Sequence, residues 1–272
     1  MKKLEVEEFE TSSLMGTLRA SILKKENLFD KSKSRYFMRS MLACLFLTIG
    51  TAAAVYLGEA VNAIVPGGGK IAYALMFTWS LVMIVYLNSE LGTSNMMYMT
   101  TAVHRKILPL KKAATILFAC IFFNLVGGIL ASWLISHTGA FLHVTQDSFL
   151  VTTIASKLQK GPSQVFFEGI FANLIVNIAV FTTINMKEDT ARILAIVFII
   201  FIFAFLGFEH VIANFSSFSL AFFTTGGHVP GMTVIAVLNN LLFATLGNFV
   251  GGGLLLGLNY SWLNNGQSKY SD

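Results

Sequence analysis

Apolar runs recur six times along the chain, near residues 38–65, 73–103, 112–137, 164–186, 191–225 and 232–263. Each is long enough to cross about 30 Å of hydrocarbon as a helix, which takes roughly 20 residues. The runs are continuously apolar rather than alternating, which predicts helices and not strands. The second and fifth are too long for one straight span, and polar residues interrupt both. The first interruption reads Ser89-Glu90-Leu91-Gly92-Thr93-Ser94-Asn95 and the second Phe208-Glu209-His210-Val211-Ile212-Ala213-Asn214. In each, a Glu meets the apolar run and an Asn follows five residues later. Each is followed by a further matching segment, Asn124-Leu125-Val126-Gly127-Gly128 and Asn248-Phe249-Val250-Gly251-Gly252.

The repetition divides the chain into a cytoplasmic N-terminal segment (1–36), a first three-helix repeat (37–137), an external loop (138–163), a second repeat (164–264) and a cytoplasmic tail (265–272). Three spans per half force the halves into opposite orientations, a membrane architecture that encloses a solute path. Exposed backbone at a break is tolerated only where protein or a water-lined cavity satisfies it, so the two breaks are expected to meet near the bilayer midplane. The glycines of the third and sixth spans are read as close helix crossings. Within residues 4–28, Leu14, Leu18, Ile22 and Leu23 recur at helical spacing. An amphipathic helix on the cytoplasmic face and a disordered tail both fit that pattern.

Composition agrees with this organisation. Hydrophobic residues make up 55% of the chain and charged residues 12%, and the mean hydropathy is +0.69, far too apolar for a soluble domain of this length. Of 19 Lys and Arg, only Lys70, Lys157 and Lys160 fall on one side of the proposed spans. That bias places both termini in the cytoplasm, in a multi-pass protein of the cell membrane. The net positive charge is therefore topological and says nothing for nucleic acid. Cys44 and Cys120 sit in apolar spans without metal-ligand spacing or a disulfide framework. No cleavable signal peptide is expected, because the first apolar run starts too late and runs too long.

Ionisable groups inside apolar spans are costly and need either a function or a partner. Glu90 and Glu209 occupy matching positions beside freed backbone N–H groups, where a carboxylate can hold a broken helix end. With Asn95 and Asn214 they are read as structural clamps, with a substrate or proton role left open. His210 has no equivalent in the first half, where Leu91 follows the Glu. Breaking the symmetry makes it the leading functional candidate, with a neutral imidazole expected in an apolar pore. Thr93, on the opposite break, is its natural hydrogen-bond partner. Lys157 and Lys160, just before the fourth span, are placed to concentrate anions at a low-dielectric mouth.

These segments together resemble the formate/nitrite transporter family, from about residue 37 to 263. The resemblance rests on Ser89-Glu90-Leu91 with Thr93, on Gly207-Phe208-Glu209-His210 with Ile212-Ala213-Asn214, on Ala172-Asn173-Leu174-Ile175-Val176, and on Gly247-Asn248-Phe249-Val250-Gly251-Gly252. It implies an all-α, aquaporin-like six-helix bundle with broken second and fifth helices. It also implies a homopentamer with one pore per protomer and a lipid-filled centre. By motif, His210 matches the family's central pore histidine and Thr93 its partner. Asn173 and Asn248 match polar residues of the path, with Val176 beside them, and Lys157 matches the vestibule lysine. Phe77 and Phe203 match one apolar constriction; Leu81 and Leu91 match the other. Gly92 departs from the pattern, since family members commonly carry Phe there, and the smaller residue is expected to widen the slit. Glu168 is unusual for its position.

The expected activity is proton-linked, bidirectional movement of a small monovalent weak-acid anion. Formate comes first, with nitrite, lactate or acetate, and hydrosulfide as alternatives. No cofactor, metal or catalysis is expected. An aquaporin-type neutral-solute channel should show Asn-Pro-Ala at both half-helices, yet no proline here follows an Asn. A metalloenzyme built on Glu90, Glu168, Glu209 and His210 is disfavoured, because adjacent Glu and His point to different helix faces and no Glu-x-x-His pair occurs. No phosphate-binding loop suggests direct ATP drive.

Overall fold

The computed structural model describes residues 14–264; residues 1–13, which hold the start of the expected amphipathic segment, and the tail 265–272 lie outside that range. The regular structure of the described residues is all helical, with six helices long and apolar enough to span a membrane. Helix α1 (Leu14–Lys31) buries Leu18, Ile22 and Phe29 while Leu23 faces outward. The first span is α2 (Lys33–Ile64); the second is α3 (Gly69–Phe77) continued by α4 (Trp79–Tyr86). The chain then leaves helical geometry until α5 (Gly92–His104), and α6 (Leu110–Ser136) is the third span.

The connection expected as an external loop contains a helix, α7 (Phe149–Leu158), whose Leu150, Val151 and Ile154 are buried. Its alternation of buried and exposed positions gives it an inner apolar face of its own. The fourth span is α8 (Pro162–Thr183), with Pro at the first helical position, where its missing N–H costs nothing. The fifth is α9 (Asp189–Leu206), followed after a gap by α10 (Val211–Thr225). Exposed Glu188 caps α9 by accepting from the Thr190 N–H at 3.0 Å and from the Ala191 N–H. These two bonds hold its carboxyl below the usual range. The sixth span is α11 (Val234–Asn248), a π-helical stretch over Phe249–Leu258, and α12 (Asn259–Leu263).

The first span packs along the third and the sixth along the fourth, while α10 lies against α6 and α5 against the π-helical stretch. Each short helix therefore docks on the last span of the other half. Glycine makes these crossings close. A Cβ on Gly127 would lie 2.2 Å from the Met41 carbonyl oxygen, and one on Gly251 would lie 2.0 Å from that of Ile170. Packing, as expected from the sequence, accounts for both positions.

Candidate functional site

Both non-helical gaps are held by one construction. At the first, Asn124 Oδ1 accepts from the Gly92 N–H at 2.8 Å, and its Nδ2 donates to the Glu90 and Ser40 carbonyls at 2.9 and 2.6 Å. At the second, Asn248 Oδ1 accepts from the Val211 N–H at 2.9 Å, and its Nδ2 donates to the Glu209 and Gly169 carbonyls at 2.9 and 2.8 Å. Helix starts leave their first amides without intrahelical partners, and in a water-free interior those amides need a fixed acceptor. A single Asn side chain on the last span of each half supplies it.

The two glutamates are also matched. Asn95 donates to Glu90 Oε2 at 3.1 Å, and Asn214 donates to Glu209 Oε2 at 2.7 Å. Each carboxylate accepts a lysine from the helix that precedes its half: Lys25 of α1 on Glu90 at 2.7 Å, and Lys157 of α7 on Glu209 at 3.1 Å. Lys160 joins the second cluster at 2.7 Å from Glu209 Oε1. Tyr36 and Asn240 complete the two networks. The Tyr36 hydroxyl accepts from Asn95 at 3.1 Å, and Asn240 Nδ2 donates to Glu209 at 3.3 Å. Neither residue was singled out from the sequence, and nor was Lys25.

Charge and burial act differently at the two lysines. Burial, reinforced by the neighbouring Lys160, holds the Lys157 ammonium below the usual lysine range despite the Glu209 carboxylate. At Lys25 burial also opposes the charge, but the Glu90 carboxylate and Tyr98 outweigh it and hold the group above that range.

Between the two gaps lies the pair expected from the sequence. His210 Nε2 and Thr93 Oγ1 are 2.8 Å apart, and both side chains are buried. The other ring nitrogen, Nδ1, accepts from the Ala213 N–H at 3.2 Å and so caps α10. An accepting Nδ1 assigns the hydrogen of a neutral ring to Nε2, which therefore donates to Thr93. The Thr93 hydroxyl hydrogen is left to point elsewhere.

Two cavities open at the gaps, one lined by Gly207 and Phe208 of the second gap and the other by Ser89, Glu90 and Leu91 of the first. One, of about 450 Å³, is bordered by Lys70, Lys157 and Lys160 and includes Phe77 and Phe203 in its lining. Those two rings stand 5.9 Å apart, and Phe203 is 5.7 Å from the His210 ring. The other, of about 240 Å³, is bordered by Lys24, Lys25, Arg39 and Arg192 and includes Leu81 and Leu91. Each expected apolar pair therefore lines one of the two charged cavities.

Asn173, Asn248 and Val176 are buried and line neither cavity. Asn173 Nδ2 donates to the Thr93 and Asn248 carbonyls at 3.1 and 2.8 Å, so its amide is bound to backbone in α5 and α11. Gly92 also differs from expectation. A Cβ there would lie 2.8 Å from Ile121 Cγ1 and 3.0 Å from Asn124 Oδ1, so its missing side chain faces α6 and does not set the width of the slit. Glu168, unexplained from sequence, accepts from Lys160 at 2.5 Å and from Gln164 at 2.7 Å. Among the described residues, no three His, Cys, Asp or Glu side chains converge as a metal site.

Comparison with known proteins agrees with this geometry. The profile described as "Formate/nitrite transporter" matches residues 13–262. The chain belongs to the formate/nitrite transporter family. Within reach of this family assignment is the uncharacterized transporter YwcJ of Bacillus subtilis, 33% identical over 242 residues that cover 89% of this chain and 94% of that one. The nitrite transporter NirC of Salmonella typhimurium is 30% identical over 83% of this chain and 81% of its own. A solved chain described as an FNT family ion channel superposes with a TM-score of 0.85 at 25% identity, covering 92% of this chain and 98% of that one. The formate/nitrite transporter relatives are transporters and channels rather than enzymes, and this chain is a multi-pass membrane protein.

Proposed function

We propose that the protein carries a small monovalent weak-acid anion across the cell membrane in either direction, together with a proton, and that formate is its foremost substrate. The observation that carries this reading is the buried His210–Thr93 pair. In this reading it lies between two apolar constrictions, Phe77 with Phe203 and Leu81 with Leu91, each of which lines a lysine-bearing cavity. A bare anion loses several kcal/mol or more on leaving water for such a constriction. A weak acid avoids that penalty by taking up a proton where the lysines concentrate it, crossing as the neutral acid, and ionising again on the far side.

In this reading Thr93 donates its hydroxyl hydrogen to the substrate, while His210 holds Thr93 in place as a neutral ring. A protonated His210 would lose the Nδ1 acceptor that caps α10, so the proton reaches the anion from water while the ring stays neutral. Lys25 does on the cytoplasmic side what Lys157 does outside. The matched Asn124 and Asn248 clamps and the paired Glu–Lys contacts support two inverted repeats, each preceded by its own short helix. Both termini lie in the cytoplasm by the charge bias, and five copies assemble as the family resemblance implies. Nitrite is the second substrate, favoured by the similarity to NirC.

Stopped-flow flux of formate, nitrite, lactate and hydrosulfide in proteoliposomes tests the assignment. Formate and nitrite should move far faster than in protein-free vesicles. If a neutral solute crosses and none of the four anions does, the reading is wrong.

A further inference from the structure

The two cavities are built alike but charged unequally. Among the described residues, four cations line the smaller one against one lining carboxylate, Glu90. Arg192 also meets an exposed Asp189 at 3.7 Å. Around the larger cavity three lysines face Glu168 at the rim, with Glu209 beneath them. Glu168 is thus, among the described residues, a carboxylate in the lining of the second mouth beyond the matched Glu90–Glu209 pair, whereas Asp189 does not line the first.

Its position makes that charge felt. Lys160 spends all three of its N–H donors, on Glu168 at 2.5 Å, Glu209 at 2.7 Å and the Gly207 carbonyl at 2.9 Å. Lys157 spends two, on Glu209 and Asn214, both at 3.1 Å. Of the two lysines bound to Glu209, the one with a donor left to meet an arriving anion is therefore Lys157. Glu168 stands on the same cavity wall, held by Gln164 one helical turn earlier. With its side chain about 18% exposed, it stands nearer to solvent than Glu209, which has no exposure.

We infer that Glu168 is the residue that sets anion affinity at the Lys157 mouth: a counter-charge that weakens capture there and leaves the Lys25 mouth the tighter of the two. This rests on the transport reading above. A single negative charge several ångströms from a bound anion, at a dielectric between water and protein, weakens its binding about three- to tenfold. Salt screens the effect.

The test compares wild type, Glu168→Gln and Glu168→Asp for uptake of radiolabelled formate, starting with none on the far side. Each is assayed in intact cells lacking other formate transport and in inverted membrane vesicles, so that each mouth is loaded in turn. For Glu168→Gln the half-saturation concentration should fall about three- to tenfold in one preparation only, with a maximal rate no higher than wild type. Glu168→Asp, which keeps the charge on a shorter arm, should remain at the wild-type value. In wild type, added salt should raise half-saturation more steeply at the Lys25 mouth. The proposal is overturned if Glu168→Gln shifts neither preparation or both equally, if Glu168→Asp shifts as Glu168→Gln does, or if the wild-type salt dependence is equal at the two mouths. Wild type that moves no formate in either preparation would instead defeat the transport reading.

Discussion

Replacing Asn248 with Ala removes three hydrogen bonds of 2.8–2.9 Å at a site with no exposure. Two of the abandoned groups have no ready substitute. The Val211 N–H is the first amide of α10, and the Glu209 carbonyl loses its natural helical partner because the Ala213 N–H is already on His210. An unsatisfied buried polar group costs about 1–3 kcal/mol, so the change should destabilise the protein by about 2–6 kcal/mol. Thermal unfolding in detergent should then drop by on the order of 10 °C. Because α10 carries His210 at its first turn, formate flux should fall with it. Asn124→Ala should cost less, because the Gly92 N–H loses its acceptor while the Glu90 carbonyl keeps the Cys120 thiol at 3.2 Å. An unchanged melting temperature accompanied by altered anion selectivity would refute the reasoning. That pattern would mean that Asn248 lines the path after all.

Thr93→Val keeps the shape of the side chain but leaves His210 Nε2 without its acceptor. Flux of formate should drop at least tenfold while the variant still purifies with a wild-type elution profile. Gly92→Phe should lower the melting temperature by crowding Ile121 and Asn124, and the ratio of lactate to formate flux among surviving protein should not change. Gly251→Ala should impair folding outright, since its Cβ would meet a backbone carbonyl that has nowhere to go; yield of folded protein from membranes reports it. A lysine loses its charge as pH rises through its pKa. With Lys157 held below the usual range and Lys25 above it, capture at the Lys157 mouth should fail at the lower alkaline pH. Formate half-saturation followed against pH in cells and in inverted vesicles measures the difference.

The spans, the two interruptions and their Glu–Asn pairs were legible because a membrane interior leaves few ways to satisfy backbone and charge. Those constraints write themselves as long apolar runs and as polar residues that repeat. His210 stood out by breaking the repeat, and the structure brings it within hydrogen-bond distance of Thr93. What depends on the direction of a side chain was not legible. Asn173 and Asn248 read as path residues, yet which way an amide points is decided by the backbone groups that tertiary packing presents to it. Gly92 faces α6 because of its phase at the start of α5, which spacing alone leaves undetermined. Lys25 was hidden for a different reason. It lies 65 residues from Glu90, in a basic segment whose charge is already explained by membrane topology.

The coupling of anion to proton is tested most directly by electroneutrality. Proteoliposomes with a pH dye in the lumen receive an outside formate gradient, with the membrane potential clamped at several values by valinomycin and potassium. Transport as neutral acid predicts luminal acidification faster than in protein-free vesicles, with one proton per formate and a rate indifferent to the clamp. Formate uptake that follows the imposed potential without acidifying the lumen would contradict the account and make the protein a channel for the bare anion.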